Sequence, residues 1–345
     1  MTLEARARLA QPARRAIPAF RDAAERAEVA VQERDGVLLL TLQRGAVEVS
    51  AEGAGTAIRL LADEPVSLQM LRDLVAERVA ALGLALEWQS REAGTRPANL
   101  SLARIERLER ISPSYVRVTV TGPDLARFAD GGMHFRLLLG PEGADWPDTD
   151  EAGVTRWPGG VAAWHRPVYT TRSLEPLGME GAARLGFDVF LHAGGRVTDW
   201  VGRAAPGAEI ALTGPGGGMP VPAPWVGVIG DETAVPVAAR ILAAMPPETV
   251  GEAVLFVPEA ADVQVLAHPP GLRLRWVLRG GAETPLDALR ALTPPAADRH
   301  LFFAAERAEA VAARAHLRTL GFGRGTFVAS AYWHAPGSDD DHDHD

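Results

Sequence analysis

The 345-residue chain contains no cysteine. That excludes disulfides, cysteine-ligated zinc and iron–sulfur clusters, so any redox chemistry must come from a bound cofactor. It contains no lysine either: all 35 basic residues are arginine. Every cationic contact to a phosphate or an anionic ligand therefore falls to a guanidinium, and a lysine Schiff base is impossible. No apolar run reaches the ~18 residues of a membrane-spanning helix, so no membrane insertion is expected. The opening segment, Met1 to Arg8, carries charge without an apolar stretch; no secretory leader is expected, and the cytoplasm is the expected location. Acidic residues outnumber basic ones by 44 to 35, and a net charge of −9 argues against nucleic acid as a partner.

What is present points to a multidomain chain, since 345 residues exceed one ordinary core. Residues 1–95 read as an α+β domain. It has an Ala- and Arg-rich helix from Leu3 to Ala30, interrupted near Pro18, then three short strands at 36–42, 45–50 and 57–61. A helix over 65–84 and a last strand at 84–88 follow. A polar linker spans 90–99. Residues 100–218 then show six short strands (103–111, 115–121, 134–139, 168–173, 184–192 and 209–213) separated by Gly and Pro turns. They predict an antiparallel barrel, with 140–163 as a surface loop. Over 219–335 strands alternate with helices, the pattern of a parallel sheet with crossover helices. The tail, 336–345, is too acidic to fold, and His342 and His344 within it have no rigid geometry for a resident metal.

The sharpest local signal lies where Trp225-Val-Gly-Val-Ile-Gly230 runs into Asp231-Glu232-Thr233 and an apolar helical segment. A buried strand feeding a tight turn and a capped helix is a natural seat for a nucleotide. The turn lacks the G-x-G-x-x-G spacing of a dinucleotide Rossmann fold.

Upstream stand His165-Arg166-Pro-Val-Tyr169-Thr170-Thr171-Arg172, the segment from His192 through Gly194, Gly195, Val197 and Thr198 to Trp200, and Pro206-Gly207 to Gly216. Downstream, Ser330-Ala331-Tyr332-Trp333 closes the last strand. In this order the motifs resemble the siderophore-interacting protein family, NAD(P)H-dependent ferric-siderophore reductases of the ferredoxin-reductase superfamily. The resemblance covers about Ser101 to Trp333, and residues 1–95 resemble a small domain sometimes fused in front of that family. It implies a Greek-key barrel that binds FAD and an α/β domain that binds NAD(P)H. It implies that Tyr169 stacks on the isoalloxazine and that the Thr170 hydroxyl lies near its reactive nitrogen, the two groups closest to catalysis. Arg166, Thr171 and Arg172 are implied around the flavin, although Pro167 holds the position of the motif's arginine. His192, Gly194, Gly195, Val197 and Thr198 would face the diphosphate, and Asp231, Glu232 and Thr233 would face the pyridine nucleotide. Arg240, Arg273, Arg275 and Arg279 would form a cationic basin for the ferric chelate, beside Tyr332 and Trp333.

The implied reaction passes electrons from NAD(P)H through FAD to a ferric siderophore or another ferric chelate, releasing Fe(II) in the cytoplasm. A general NAD(P)H:flavin or quinone oxidoreductase and a non-catalytic ferric-siderophore binder stand as alternatives. A monomer is expected. Every matched motif lies after the linker, so residues 1–95 are expected to be dispensable for electron transfer.

Overall fold

The computed structural model describes residues 2–27, 29–42, 44–89 and 93–335. The chain divides into two compact units: residues 1–101 with 137–166 and 211–214, and residues 102–136 with 167–210 and 215 onward.

The N-terminal domain comprises β1 (Leu3–Leu9), α1 (Ala13–Arg26), β2 (Ala30–Arg34), β3 (Val37–Leu42), β4 (Gly45–Glu52), β5 (Gly55–Ala62), α2 (Pro65–Ala81) and β6 (Leu86–Trp88). Its antiparallel sheet has the order β2-β3-β4-β5-β1-β6. The helix expected from Leu3 to Ala30 is therefore corrected to a strand, a 14-residue helix and the start of a second strand. Alanine and arginine favour helices, but Ala5, Ala7 and Leu9 are buried in alternation with exposed Arg6 and Arg8, and that period of two fits a strand between β5 and β6. Pro18 does not interrupt α1. Apolar residues of α1 and α2 cover one face of the sheet, joining Leu38, Val49, Ile58 and Leu60 in one core. Gly83, at φ +69°, ends α2 in the left-handed conformation that favours glycine.

The middle of the chain supplies β7 (Leu100–Ser112), β8 (Tyr115–Gly122), β9 (His134–Leu138), β10 (Asp148–Thr149), β11 (Thr155–Arg156), β12 (Val168–Thr170), β13 (Ser173–Pro176), β14 (Ala183–Phe190), α3 (Arg196–Arg203) and β15 (Glu209–Gly216). Seven strands, not six, form the sheet β12-β9-β15-β7-β8-β14-β13. The extra strand arises because the segment expected as one strand over 168–173 breaks at Thr171 and Arg172. The Thr171 N–H donates to Met133 O at 2.9 Å, and the Arg172 N–H donates to Gly186 O at 2.8 Å. Those two residues carry the chain from one edge strand of the sheet, β12, to the other, β13, so the sheet curls on itself as a barrel at this corner. The last strand, β15, returns beside the first, β7, which is a Greek-key crossing. Phe128, Phe135 and Phe187 pack edge to face within it, at centroid separations of 6.0 and 5.3 Å.

The 140–163 segment is more than a loop. It carries the β10–β11 hairpin and belongs to the first unit, where Thr149 is buried and bonds Thr95, while Thr155 bonds Asp73 of α2.

From Trp225 the chain forms β16 (Trp225–Gly230), α4 (Val235–Ala243), β17 (Val250–Val257), β18 (Leu272–Leu278), α5 (Pro285–Ala291), β19 (Arg299–Glu306), α6 (Arg307–Thr319) and β20 (Phe327–Trp333). The sheet is parallel, in the order β18-β17-β16-β19-β20. The β17–β18 connection holds only the short helical turn Ala260–Asp262 in place of a full helix. β16 is the topological switch point: the chain leaves it first toward one edge and later toward the other. Ligands of such sheets bind at the carboxyl ends of the strands there. The tail expected to be unfolded, 336–345, lies outside the described residues.

Candidate functional site

The site is assembled in the second unit, from the seam of the barrel and the carboxyl edge of the parallel sheet. At the seam, Tyr169 of β12 pairs with Phe135 of β9, and its ring joins Phe135 and Phe187 at centroid separations of 6.4 and 5.4 Å. Burial raises its phenol above the usual tyrosine range. Thr170 and Thr171 are buried, and Thr171 Oγ1 has no hydrogen-bond partner among the described residues.

Arg172 stands just before β13, beside a charge cluster that no motif announced. Asp188 of β14, 3% exposed, takes a two-pronged contact from Arg117 of β8 at 2.6 and 2.8 Å, and Arg172 Nε lies 3.8 Å from the same Oδ2 that accepts from Arg117. Two guanidiniums thus share one carboxylate, and one positive charge is left over. The Arg172 Nε is buried without a hydrogen-bond partner among the described residues, and burial pulls the Arg172 group below its usual value. A net cation with an unmet donor is what a diphosphate satisfies.

Beyond β14, His192 stacks on Phe190 at 6.3 Å, and its backbone N–H donates to Thr198 Oγ1 at 3.1 Å. A Cβ at Gly195 would come within 2.6 Å of the His192 ring and 3.0 Å of Thr198 Oγ1, so glycine lets the backbone lie close against both side chains at the start of α3. Gly194 takes φ +76°, and Val197 anchors the helix by burial. The residues present thus fit FAD: an aromatic ring at the seam, a net cation with an unmet donor, and a cradle that a Cβ would fill.

At the sheet edge, Asp231 is fully buried. Its Oδ1 accepts from the Thr233 N–H at 2.9 Å and hydroxyl at 2.5 Å, and its Oδ2 accepts from the Trp333 indole at 2.6 Å. Gly230 keeps this turn tight, for a Cβ there would stand 2.6 Å from that of Ala234. Burial raises the Asp231 carboxyl above its usual range; burial and then the Asp231 charge do the same to Glu232. Arg279 Nε pairs with Glu232 at 3.3 Å, and its guanidinium lies 5.9 Å from the Trp333 ring. Tyr115 donates its hydroxyl to Glu232 O at 2.6 Å, tying the start of β8 to the same turn.

The expected residues therefore fall into three sets. Tyr169, Thr170, Thr171, Arg172, Asp231, Glu232, Thr233, Arg279, Tyr332 and Trp333 are gathered around the seam and the sheet edge, with His192, Gly194, Gly195, Val197 and Thr198 beyond β14 in the same unit. Arg166 lies in the other unit, its guanidinium 4.9 Å from the Trp157 ring. Arg273 and Arg275 are engaged by Glu252 and Glu283, and Arg240 donates to Ala129 O, Met133 O and Thr171 O, each at 3.2 Å. Acidic neighbours or backbone carbonyls thus stand against each of these three guanidiniums of the expected cationic basin. Sequence reasoning missed Arg117, Asp188, Tyr115 and His134. The alternation of β8 and β14 could have paired Arg117 with Asp188, whereas a lone histidine opening a strand carries no spacing signal. Among the described residues, no group of three or more His, Asp or Glu is placed to hold a metal.

Comparison with known proteins completes the picture. Residues 104–219 match the siderophore-interacting FAD-binding domain, and residues 223–336 match the siderophore-interacting protein family. The ferric vibriobactin reductase ViuB of Vibrio cholerae is 30% identical over 246 residues, covering 66% of this chain and 86% of that protein. The NADPH-dependent ferric-chelate reductase of Escherichia coli is 28% identical over 241 residues, covering 66% and 91%. Among solved structures, a siderophore utilization protein from T. fusca matches with TM-score 0.61 at 26% identity, over 73% of this chain and 98% of that one. The siderophore-interacting protein SipS from Aeromonas hydrophila matches with TM-score 0.59 at 28% identity, over 70% and 93%.

Proposed function

The chain belongs to the siderophore-interacting protein family, and from that premise we propose that it is an FAD-dependent reductase carrying electrons from NAD(P)H to a ferric siderophore or another ferric chelate. When bound, FAD supplies the conversion between a two-electron hydride donor and a one-electron acceptor. Ferric iron is held strongly by the hard oxygen donors of such chelates and ferrous iron weakly, so reduction loosens the metal without hydrolysis of the ligand.

The chain's own residues bind, orient and shield. In this reading Tyr169 and Thr170 hold the isoalloxazine. Arg172, steadied by Asp188 and Arg117, holds the diphosphate with Thr171, His192, Gly194, Gly195, Val197 and Thr198. The turn Asp231, Glu232 and Thr233 receives the nicotinamide nucleotide, and Trp333 fixes that turn through its indole hydrogen bond. Arg279 is the arginine assigned to the chelate, because it stands at the carboxyl edge beside Trp333. The electron donor is a cytoplasmic metabolite, so the reaction is placed in the cytoplasm. No helix of the described residues is long and apolar enough to cross a membrane.

The observation that carries the reading is the shared carboxylate of Asp188, which leaves one guanidinium with an unmet donor beside the seam. The test is the absorption spectrum of the purified protein, the identity of the flavin released on denaturation, and NADPH-driven reduction of a ferric siderophore. FAD, with turnover on ferric chelate exceeding turnover on free flavin or quinone, is the expected result. A colourless protein that takes up no added FAD would sink the proposal; chelate binding without turnover would favour the non-catalytic alternative.

A further inference from the structure

His134 opens β9 and sits between two of the expected site residues. Its Nδ1 lies 3.3 Å from Thr170 Oγ1, and its Nε2 lies 3.3 Å from the Tyr332 hydroxyl. The ring is held in this pose: it meets the Tyr332 ring edge-on at 6.0 Å, and a Cβ at Gly217 would come within 2.5 Å of its Cδ2. The charged group facing it is Arg240 of α4, itself pinned by three carbonyls. Burial, and then that guanidinium, pull its pKa down to about 4, against the raising effect of a hydrogen bond to the Tyr169 backbone. At neutral pH the ring is therefore an uncharged imidazole, with one nitrogen donating and the other accepting. A hydroxyl on each side can do either. The three side chains form a directional chain of hydrogen bonds from the barrel seam to the end of β20.

The stoichiometry of the proposed reaction supplies a proton for such a chain to carry. A hydride carries one proton and two electrons, whereas two ferric ions accept one electron each and no proton. NAD(P)H and two Fe(III) thus yield NAD(P)⁺, two Fe(II) and one H⁺, and that proton must reach solvent. Resting on the reductase reading above, we infer that Thr170, His134 and Tyr332 are its exit path, with His134 positioning the Thr170 hydroxyl. A proton arriving at Thr170 Oγ1 displaces the hydroxyl proton to His134 Nδ1. The Nε2 proton passes to the Tyr332 oxygen, and the tyrosine's own proton passes to water. Each centre gains one proton and loses one, and the imidazole regains its first tautomer by exchange with water between turnovers.

The test uses the full FAD-loaded chain with His134→Phe, which keeps a ring and removes both contacts, and Tyr332→Phe, which removes only the far hydroxyl. Rapid mixing follows reduction by NADPH and reoxidation by ferric citrate separately, in H₂O and D₂O. Both variants are expected to slow reoxidation by about a hundredfold, the scale of a lost general acid–base group, and to alter its solvent isotope effect. Reduction by NADPH and the FAD dissociation constant should change by less than about twofold, since neither requires the exit of a proton. Independently of flavin, ¹⁵N spectra of the apo-protein should show a neutral His134 at neutral pH whose Nε2 resonance moves in Tyr332→Phe. Unchanged reoxidation in both variants, or an Nε2 resonance indifferent to Tyr332, overturns the path; if His134→Phe fails to fold, Tyr332→Phe decides. A wild-type protein that holds no FAD fails the reductase reading first. Wild-type reduction of ferric citrate with unaffected variants fails the exit path alone.

Discussion

Arg279 answers to two neighbours, the Glu232 carboxylate at 3.3 Å and the face of Trp333 at 5.9 Å. Its charge is balanced in the resting protein, which bears on how an anionic chelate is drawn in. Glu232→Gln should release the guanidinium and lower KM for an anionic ferric chelate by about fivefold, or ~1 kcal/mol, while Arg279→Gln should raise it by a similar factor. Both changes should be visible in the salt dependence of KM. The raised Glu232 pKa makes wild-type affinity improve as the solution is acidified, because protonation of Glu232 leaves Arg279 unpaired. His134 gives a pH effect on stability. Its pKa falls from 6.5 to about 4 on folding, so between those values the unfolded chain binds a proton that the folded one refuses. Its contribution is intact above the unfolded pKa, is lost as the pH falls toward the folded one, and totals about 3 kcal/mol. Unfolding midpoints of His134→Gln should consequently lose less than wild type on acidification; an equal loss would refute the assignment. At this scale the motif residues were legible because each lies in a segment with its own pattern. Arg117, Asp188 and His134 were not, since their partners lie 71, 71 and 36 or 198 residues away in sequence.

The elements of the parallel sheet could be read almost directly, because each buried strand is an apolar run closed by a turn. The barrel was harder where a break carries the function. Thr171 and Arg172 look like strand residues, and only the closure of the sheet on itself makes them the seam between β12 and β13. β1 shows the opposite conflict, with helix-forming residues arranged at the period of a strand; pairing on both sides decided it. Between elements, the barrel and the sheet are tied at a few points. Tyr115 of β8 donates to Glu232 O after β16, and Asp262 accepts from the Ser112 hydroxyl at 2.6 Å and the Ser114 N–H at 2.8 Å. Tyr115→Phe keeps the buried ring but strands a carbonyl. The expected cost is about 1–3 kcal/mol, read from the urea midpoint, with weaker NAD(P)H affinity because the Asp231–Thr233 turn loses its tether. A variant as stable as wild type, with unchanged NAD(P)H affinity, would show that another contact holds that turn.

For the whole molecule, the sequence placed every chemical motif after residue 99 and so made the N-terminal domain look separable. The structure changes that expectation through the segment 137–166, which belongs to the same compact unit as residues 1–101. The α2 side chains are its partners: Asp73 accepts from the Thr155 N–H at 2.9 Å and hydroxyl at 2.7 Å, Gln69 donates to Gly153 O at 3.0 Å, and Arg72 donates to Ala152 O at 3.0 Å. Composition could not reveal this, because an acidic, Gly- and Pro-rich insert reads as solvent-exposed wherever it lies. A chain beginning at Arg96 would leave the β10–β11 hairpin without those bonds. Each buried donor or acceptor so stranded costs about 1–3 kcal/mol. The expected outcome is therefore a truncated protein with early proteolytic cleavage between 140 and 163 and a lower melting temperature, although every assigned flavin contact except Arg166 lies in the other unit. Asp73→Ala in the full chain separates the two causes. It should reproduce the cleavage while leaving FAD content unchanged, whereas equal protease resistance in wild type, truncation and Asp73→Ala would return the N-terminal domain to the status of a dispensable appendage.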